Sequence, residues 1–213
     1  MKKIVFTIAL GLGLLTANAQ IQSLAGPRLG LVYISASPGS SFLNGDIRLE
    51  DTGDLPEDYN DIAKGALTTL YGWQWESRFA DAGDVTGIVE WIALIGGMEK
   101  GKFLPSVSSM VGARTASGIE FAVGPNLSLS GIAMVFGMGY NFKSGNLNIP
   151  VNIAFLPGRK AISDAKYEWE RNSGPDGELG TQDDVDEEVQ TQAPIDYNSG
   201  NRFSITVGFN LSK

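Results

Sequence analysis

The stretch Asn201-Arg202-Phe203-Ser204-Ile205-Thr206-Val207-Gly208-Phe209-Asn210-Leu211 alternates without interruption from Arg202 onward. Phe203, Ile205, Val207, Phe209 and Leu211 are apolar, and Arg202, Ser204, Thr206, Gly208 and Asn210 are polar or small. Side chains of an extended chain point to opposite faces in turn, so a period of two specifies a β-strand with one greasy and one polar face.

The same pattern recurs upstream. In Asn146 to Phe155, Leu147, Ile149, Val151, Ile153 and Phe155 oppose Asn146, Asn148, Asn152 and Ala154. A side carrying several asparagines does not suit a dry core. Ser128 to Tyr140 sets Ile132, Met134, Phe136, Met138 and Tyr140 against Gly131, Ala133, Gly137 and Gly139, which leave room for neighbouring side chains. Gly118 to Gly124 sets Ile119, Phe121 and Val123 against Glu120 and Ala122, and Leu67 to Arg78 sets Leu67, Tyr71, Trp73 and Trp75 against Gln74, Glu76 and Arg78. In Val85 to Ile95, Val89, Trp91 and Ile95 oppose Thr86 and Glu90, while Ile88, Ile92 and Leu94 blur the alternation. Pro27 to Ser35 supplies a first strand with Leu29, Leu31 and Tyr33 outward, and Phe103 to Arg114 is read as a further strand in spite of Pro105. These make about eight strands. Pro150 removes a ladder donor, so a bulge is expected near it.

With 27 glycines and only 19% charged residues, the chain reads as all-β with many short connections. The expected architecture is a closed antiparallel up-and-down transmembrane β-barrel. The start of the chain is read as an export signal: Lys2 and Lys3, the apolar run Ile4 to Leu15, and Ala17-Asn18-Ala19, with cleavage after Ala19. Residues 1–19 are thus a signal peptide and residues 20–213 the barrel. The apolar run is shorter than the ~20 residues of a spanning helix.

Topology follows from loop lengths. Strands that begin and end in the periplasm place the connections 36–65, 97–102, 125–126 and 158–200 outside, and the turns near 80–84, 115–117 and 143–145 inside. Long loops at 36–65 and 158–200 with short turns opposite are the asymmetry of outer-membrane barrels. Alternation alone does not separate a membrane barrel from a soluble lipocalin-like barrel that binds an apolar ligand in the periplasm. The polar faces favour the first, because they are rich in Asn, Ser, Thr and Gly and poor in Lys, as suits a crowded interior. Tyr33, Tyr71, Trp73, Trp75, Trp91, Tyr140 and Phe209 are candidates for an interfacial aromatic girdle.

The leader, the strand pattern and the ending Arg-Phe-Ser-Ile-Thr-Val-Gly-Phe-Asn-Leu resemble small outer-membrane β-barrel proteins of the Bacteroidota type, similar to eight-stranded barrels of the OmpX and OmpA kind. The resemblance implies an outer-membrane location and an insertion signal carried by Phe209.

Without cysteine there is no disulfide or thiolate site, and without histidine there is no Ser-His-Asp or Cys-His system and no histidine metal site. No enzyme is expected; an envelope enzyme acting on lipid is the remaining catalytic alternative. Acidic residues outnumber basic ones 24 to 16, and Lys2 and Lys3 leave with the leader, which argues against nucleic acid as a partner. Between Asp164 and Glu188 only Lys166 and Arg171 oppose a run of acids. Within that run Asp176, Glu178, Asp183, Asp184 and Asp186, on a Gly-rich turn, form a candidate calcium loop.

Strand parity turns Glu76, Arg78, Glu90, Arg114, Glu120 and Arg202 inward. Paired and hydrogen-bonded, they would offset one another's desolvation and plug an eight-stranded lumen. The function expected is that of a non-enzymatic outer-membrane barrel in contact with lipid, acting through its loops or as a component of an envelope complex.

Overall fold

The computed structural model describes residues 23–48, 55–56, 58–173, 175 and 185–212, so the expected signal peptide lies outside the described residues. Seven consecutive strands form an antiparallel meander: β1 (Ser23–Ile34), β2 (Ala66–Asp81), β3 (Val85–Gly96), β4 (Leu104–Thr115), β5 (Ile119–Ser128), β6 (Gly131–Ser144) and β7 (Leu147–Leu156). The long connection after β7 holds β8 (Lys160–Ile162), β9 (Lys166–Asn172), β10 (Val185–Gln192) and β11 (Asp196–Asn198). The chain ends with β12 (Arg202–Gly208) and β13 (Asn210–Ser212). Both β12 and β13 pair with β7 on one side and β1 on the other, and they keep one register, with Val207 opposite Val151 and Asn210 opposite Asn148. They are two halves of a single stave, so the sheet closes as an eight-stranded up-and-down barrel.

The stretch 103–114 is a full strand, with Val107 and Val111 outward and Ser108, Met110 and Arg114 inward. At Pro150 the outcome differs from the expected bulge. The register is unchanged on either side, and the ladder simply lacks pairs at Gly208 and Phe209. Proline has no N–H to donate. Gly208 lets its ring approach, since a side chain there would begin 2.8 Å from Pro150 Cγ. The Phe209 N–H instead donates to the Pro27 carbonyl at 3.0 Å. A register shift does occur in β2, between Arg78 and Ala80 opposite β3, and another in β10, between Gln190 and Gln192 opposite β9.

The connection expected at 125–126 is also displaced. β5 continues to Ser128 and turns at 129–130. Pro125 stays in the strand facing outward; the β4–β5 ladder skips from the Ser108–Asn126 pair to Val111–Val123, which leaves its missing donor unneeded.

Parity separates the two faces cleanly. Leu29, Trp73, Trp91, Val123, Phe136, Ile153 and Ile205 point outward and are exposed. All seven aromatics considered for a girdle lie on this outer face, but Tyr71, Trp73 and Trp75 step along one strand and so cover height as well as circumference. The inward face is layered. Near the short-turn end it is polar and charged, with Gln74, Glu76, Glu90, Glu120, Asn148 and Asn210 fully buried. Toward the long-loop end it becomes apolar, through Val32, Ile34, Leu70, Ile92 and Val135. Ile88, Ile92 and Leu94, which blurred the alternation of β3, are therefore lumen residues, and the interior is not polar throughout as the sequence suggested.

The connection 36–65 folds over the long-loop end. Helix α1 (Pro38–Asn44) is started by Ser37, whose hydroxyl accepts from the Ser40 N–H while Ser40 caps it in return, and is stopped by Gly45 in the left-handed conformation (φ 84°). Its Leu43 joins Val32, Ile34, Ala66 and Leu70. A second short helix, α2 (Tyr59–Ile62), buries Tyr59. Asn60 Nδ2 donates to the Asp196 carbonyl at 3.1 Å and Gln192 Nε2 to that of Leu55 at 2.8 Å, so the two long connections form one cap.

Tight curvature requires glycine where strands approach closely. A side chain on Gly124 would begin 1.9 Å from the Ser109 carbonyl oxygen, whereas one on Gly137 would meet only the mobile methyl of Met110 at 3.0 Å. Gly124→Ala should therefore cost about 3 kcal/mol or more, and Gly137→Ala less than about 1 kcal/mol. Urea unfolding followed by loss of the compact, fast-migrating gel form measures both.

Candidate functional site

The charged layer of the lumen brings together residues from six staves. Arg114 of β4 is its hub: Nη1 and Nη2 donate to the two carboxylate oxygens of Glu76, each at 2.6 Å, and Nε donates to Glu120. Asn152 Nδ2 donates to the other Glu120 oxygen at 3.3 Å. The planar guanidinium fork matches carboxylate geometry on two sides at once, which few other side chains can do. Glu90 of β3 accepts from Gln74 Nε2.

Arg28 of β1 is buried among these acids, within the electrostatic reach of Glu90, Glu120 and Glu76, while its Nε and Nη2 have no hydrogen-bond partner among the described residues. Sequence reasoning missed it. The signal was present, because Leu29, Leu31 and Tyr33 outward force Arg28 inward on the same strand.

Of the six inward charges anticipated, Glu76, Arg114 and Glu120 form one bonded triad and Glu90 lies in the same layer. Arg78 is half-buried at the short-turn end of β2. Arg202 stands apart at the long-loop end of β12, where its Nη1 donates to Ser128 Oγ at 3.1 Å.

Above the charged layer lies a cavity of about 140 Å³. One wall is apolar (Val32, Ile34, Leu70, Ile92, Leu94), and the other carries Ser106, Ser108, Asn126, Ser128 and Ser204. Arg28 forms its floor and Gly39 of α1 part of its roof. At the mouth, Glu99 of the β3–β4 connection accepts from the Thr68 hydroxyl at 2.5 Å, the Thr69 N–H at 3.2 Å and the Thr69 hydroxyl. Slight burial pushes the Glu99 carboxyl up, but these bonds outweigh it and hold the group down, to about 2.

The acidic stretch is not a bare loop in its described part. β9 and β10 form a hairpin continued toward the barrel by β8 and β11, with Trp169 on its surface at 71% exposure. Asp176, Glu178, Asp183 and Asp184 lie outside the described residues. Asp186 is exposed and bound by Arg171, Nε at 2.8 Å and Nη2 at 3.2 Å, which holds its carboxyl below the usual range. Among the described residues no three metal-ligating side chains converge.

No protein-family model, curated protein or solved structure matches the chain. What it does must be argued from the barrel itself.

Removing Arg114 would leave Glu76 and Glu120 buried without their cation. Arg114→Met should cost about 3–5 kcal/mol, and adding Glu76→Gln should recover part of it. A double-mutant cycle on urea midpoints reads the coupling directly.

Proposed function

We propose that this chain is an outer-membrane β-barrel protein without catalytic activity, whose charged layer closes the lumen and whose two long connections make the contacts that matter, with surface partners or within an envelope complex. The observation that carries the reading is the outer face. Phe121 is 55% exposed, Ile132 60% and Ile205 48%, and they belong to a belt that runs around every stave. A continuous apolar belt far exceeds the few hundred Å² that a protein in water leaves uncovered. Hydrocarbon is the solvent that suits it. A closed barrel also satisfies its backbone groups internally, as that solvent demands.

The ends support the same orientation. Short turns at 82–84, 116–118 and 145–146 share one end with the start of β1 and the end of β13, while the capped connections 35–65 and 157–201 occupy the other. That is the asymmetry of barrels with short periplasmic turns and long outer loops. A lipocalin-like soluble barrel needs the reverse arrangement, apolar inside and polar outside. Here Arg28, Glu76, Glu90 and Arg114 are inside and Trp73, Trp75 and Trp91 outside. The acid-rich hairpin of β9 and β10 likewise disfavours nucleic acid.

Two measurements test the proposal. The protein should leave the envelope only with detergent, and trypsin should cut at Arg171 on intact cells; release in the soluble periplasmic fraction overturns it. Ile205→Arg should cost about 2–4 kcal/mol in lipid vesicles, as for a cation near a bilayer midplane. In a water-facing position the change stays within about 0.5 kcal/mol.

A further inference from the structure

The upper cavity holds a charge with no counter-charge among the described residues. Arg202 reaches into it from the first residue of β12, is half-buried, and has as its partner the Ser128 hydroxyl, with no carboxylate paired to it among the described residues. A guanidinium withdrawn from water without a counter-charge is unfavourable, and its fork is shaped for a carboxylate. Arg28 at the floor differs, because Glu76, Glu90 and Glu120 already act on it. Between the two, the wall on the side of β1 to β3 is mostly aliphatic, through Val32, Ile34, Leu70, Ile92 and Leu94, with Thr68 among them and Glu90 lining the chamber together with Arg28 and Glu120.

We propose that this chamber binds a small amphiphilic monoanion, a carboxylate on a medium-length alkyl chain. The carboxylate is held by Arg202 and Ser128, at the opposite end of the chamber from Glu90 and Glu120, and the chain lies against Val32, Ile92, Leu94 and Val135, stopping above the layer of Arg28, Glu90 and Glu120. The dimension agrees. Arg28 and Ile34 bound the chamber along β1, and at the usual rise and tilt they are separated by about 15 Å of barrel axis, comparable to a ten-carbon chain. A neutral ligand would leave Arg202 unpaired, and a cationic one would be repelled.

The test uses the full protein in lipid nanodiscs with ¹³C-labelled isoleucine methyls, titrated with decanoate, decanol and decyltrimethylammonium. Ile34 and Ile92 line the chamber, whereas Ile153 and Ile205 face outward and report partition into the bilayer. Decanoate should shift Ile34 and Ile92 saturably and leave Ile153 and Ile205 in place; decanol should bind at least tenfold more weakly, and the ammonium not at all. Arg202→Gln should weaken decanoate at least tenfold without affecting decanol. Ala154→Phe, which fills the chamber and spares Arg202, should abolish the lumenal shifts. Equal shifts at all four isoleucines, equal affinity for decanoate and decanol, or no lumenal shift overturns the proposal, as does wild-type binding by folded Arg202→Gln. If either variant fails to reach the compact gel form, the ligand series on the unaltered protein decides.

Discussion

Pairing of β1 with the stave made by β12 and β13 is the constraint from which the remaining structure follows. It joins the chain's first described strand to its last, from Arg28 opposite Gly208 to Ile34 opposite Arg202. Once that seam closes, the barrel sheet itself has no edge for another chain to extend, and every side chain on a stave must point either into a narrow lumen or away from it. The period of two then becomes a partition between two environments. A slip of one residue at the seam would exchange them for the whole of β12.

The lumen uses its confinement in two ways. Near the short-turn end Arg114 binds Glu76 and Glu120 together, so charges from three strands are locked into one network in which each offsets the other's desolvation. Nearer the long-loop end the same narrow space is lined by aliphatic side chains and roofed by α1, with hydroxyls gathered on one wall. A barrel of this width fills readily with side chains, so the cavity between these layers reflects the small residues, Ala122, Gly137 and Ala154, that face it.

The cap shows a different economy. Leu55 and Tyr59 of the first connection are buried, and hydrogen bonds from Gln192 to the Leu55 carbonyl and from Asn60 to the Asp196 carbonyl tie the first connection to the second. The hairpin of β9 and β10 then projects beyond, with Glu170 directly opposite Glu187 on one face and Tyr167 and Trp169 on the other. Like charges facing across a pair weaken it, and the neighbouring Arg171–Asp186 ion pair and the Asn172–Glu187 hydrogen bond oppose that repulsion.

Much of this was legible from residue order. The staves carrying Phe203 to Leu211, Leu147 to Phe155 and Leu67 to Trp75 could be read with their outward and inward sets, because alternation is a local property of an extended chain. The inward direction of Glu76, Arg114, Glu120 and Arg202 came with it. Local order did not reveal that Pro125 and Pro150 are absorbed without ending or bulging their strands, since that depends on which neighbouring ladder lacks a donor. Nor did it reveal that Ile88, Ile92 and Leu94 belong inside, that Arg28 joins the acids, or that Arg202 meets Ser128 and no carboxylate among the described residues. The sequence by itself determined which residues share a face. Tertiary structure alone decided which faces meet, because the height at which each stave presents its charges is set by the stagger of closure, a relation among all eight staves at once.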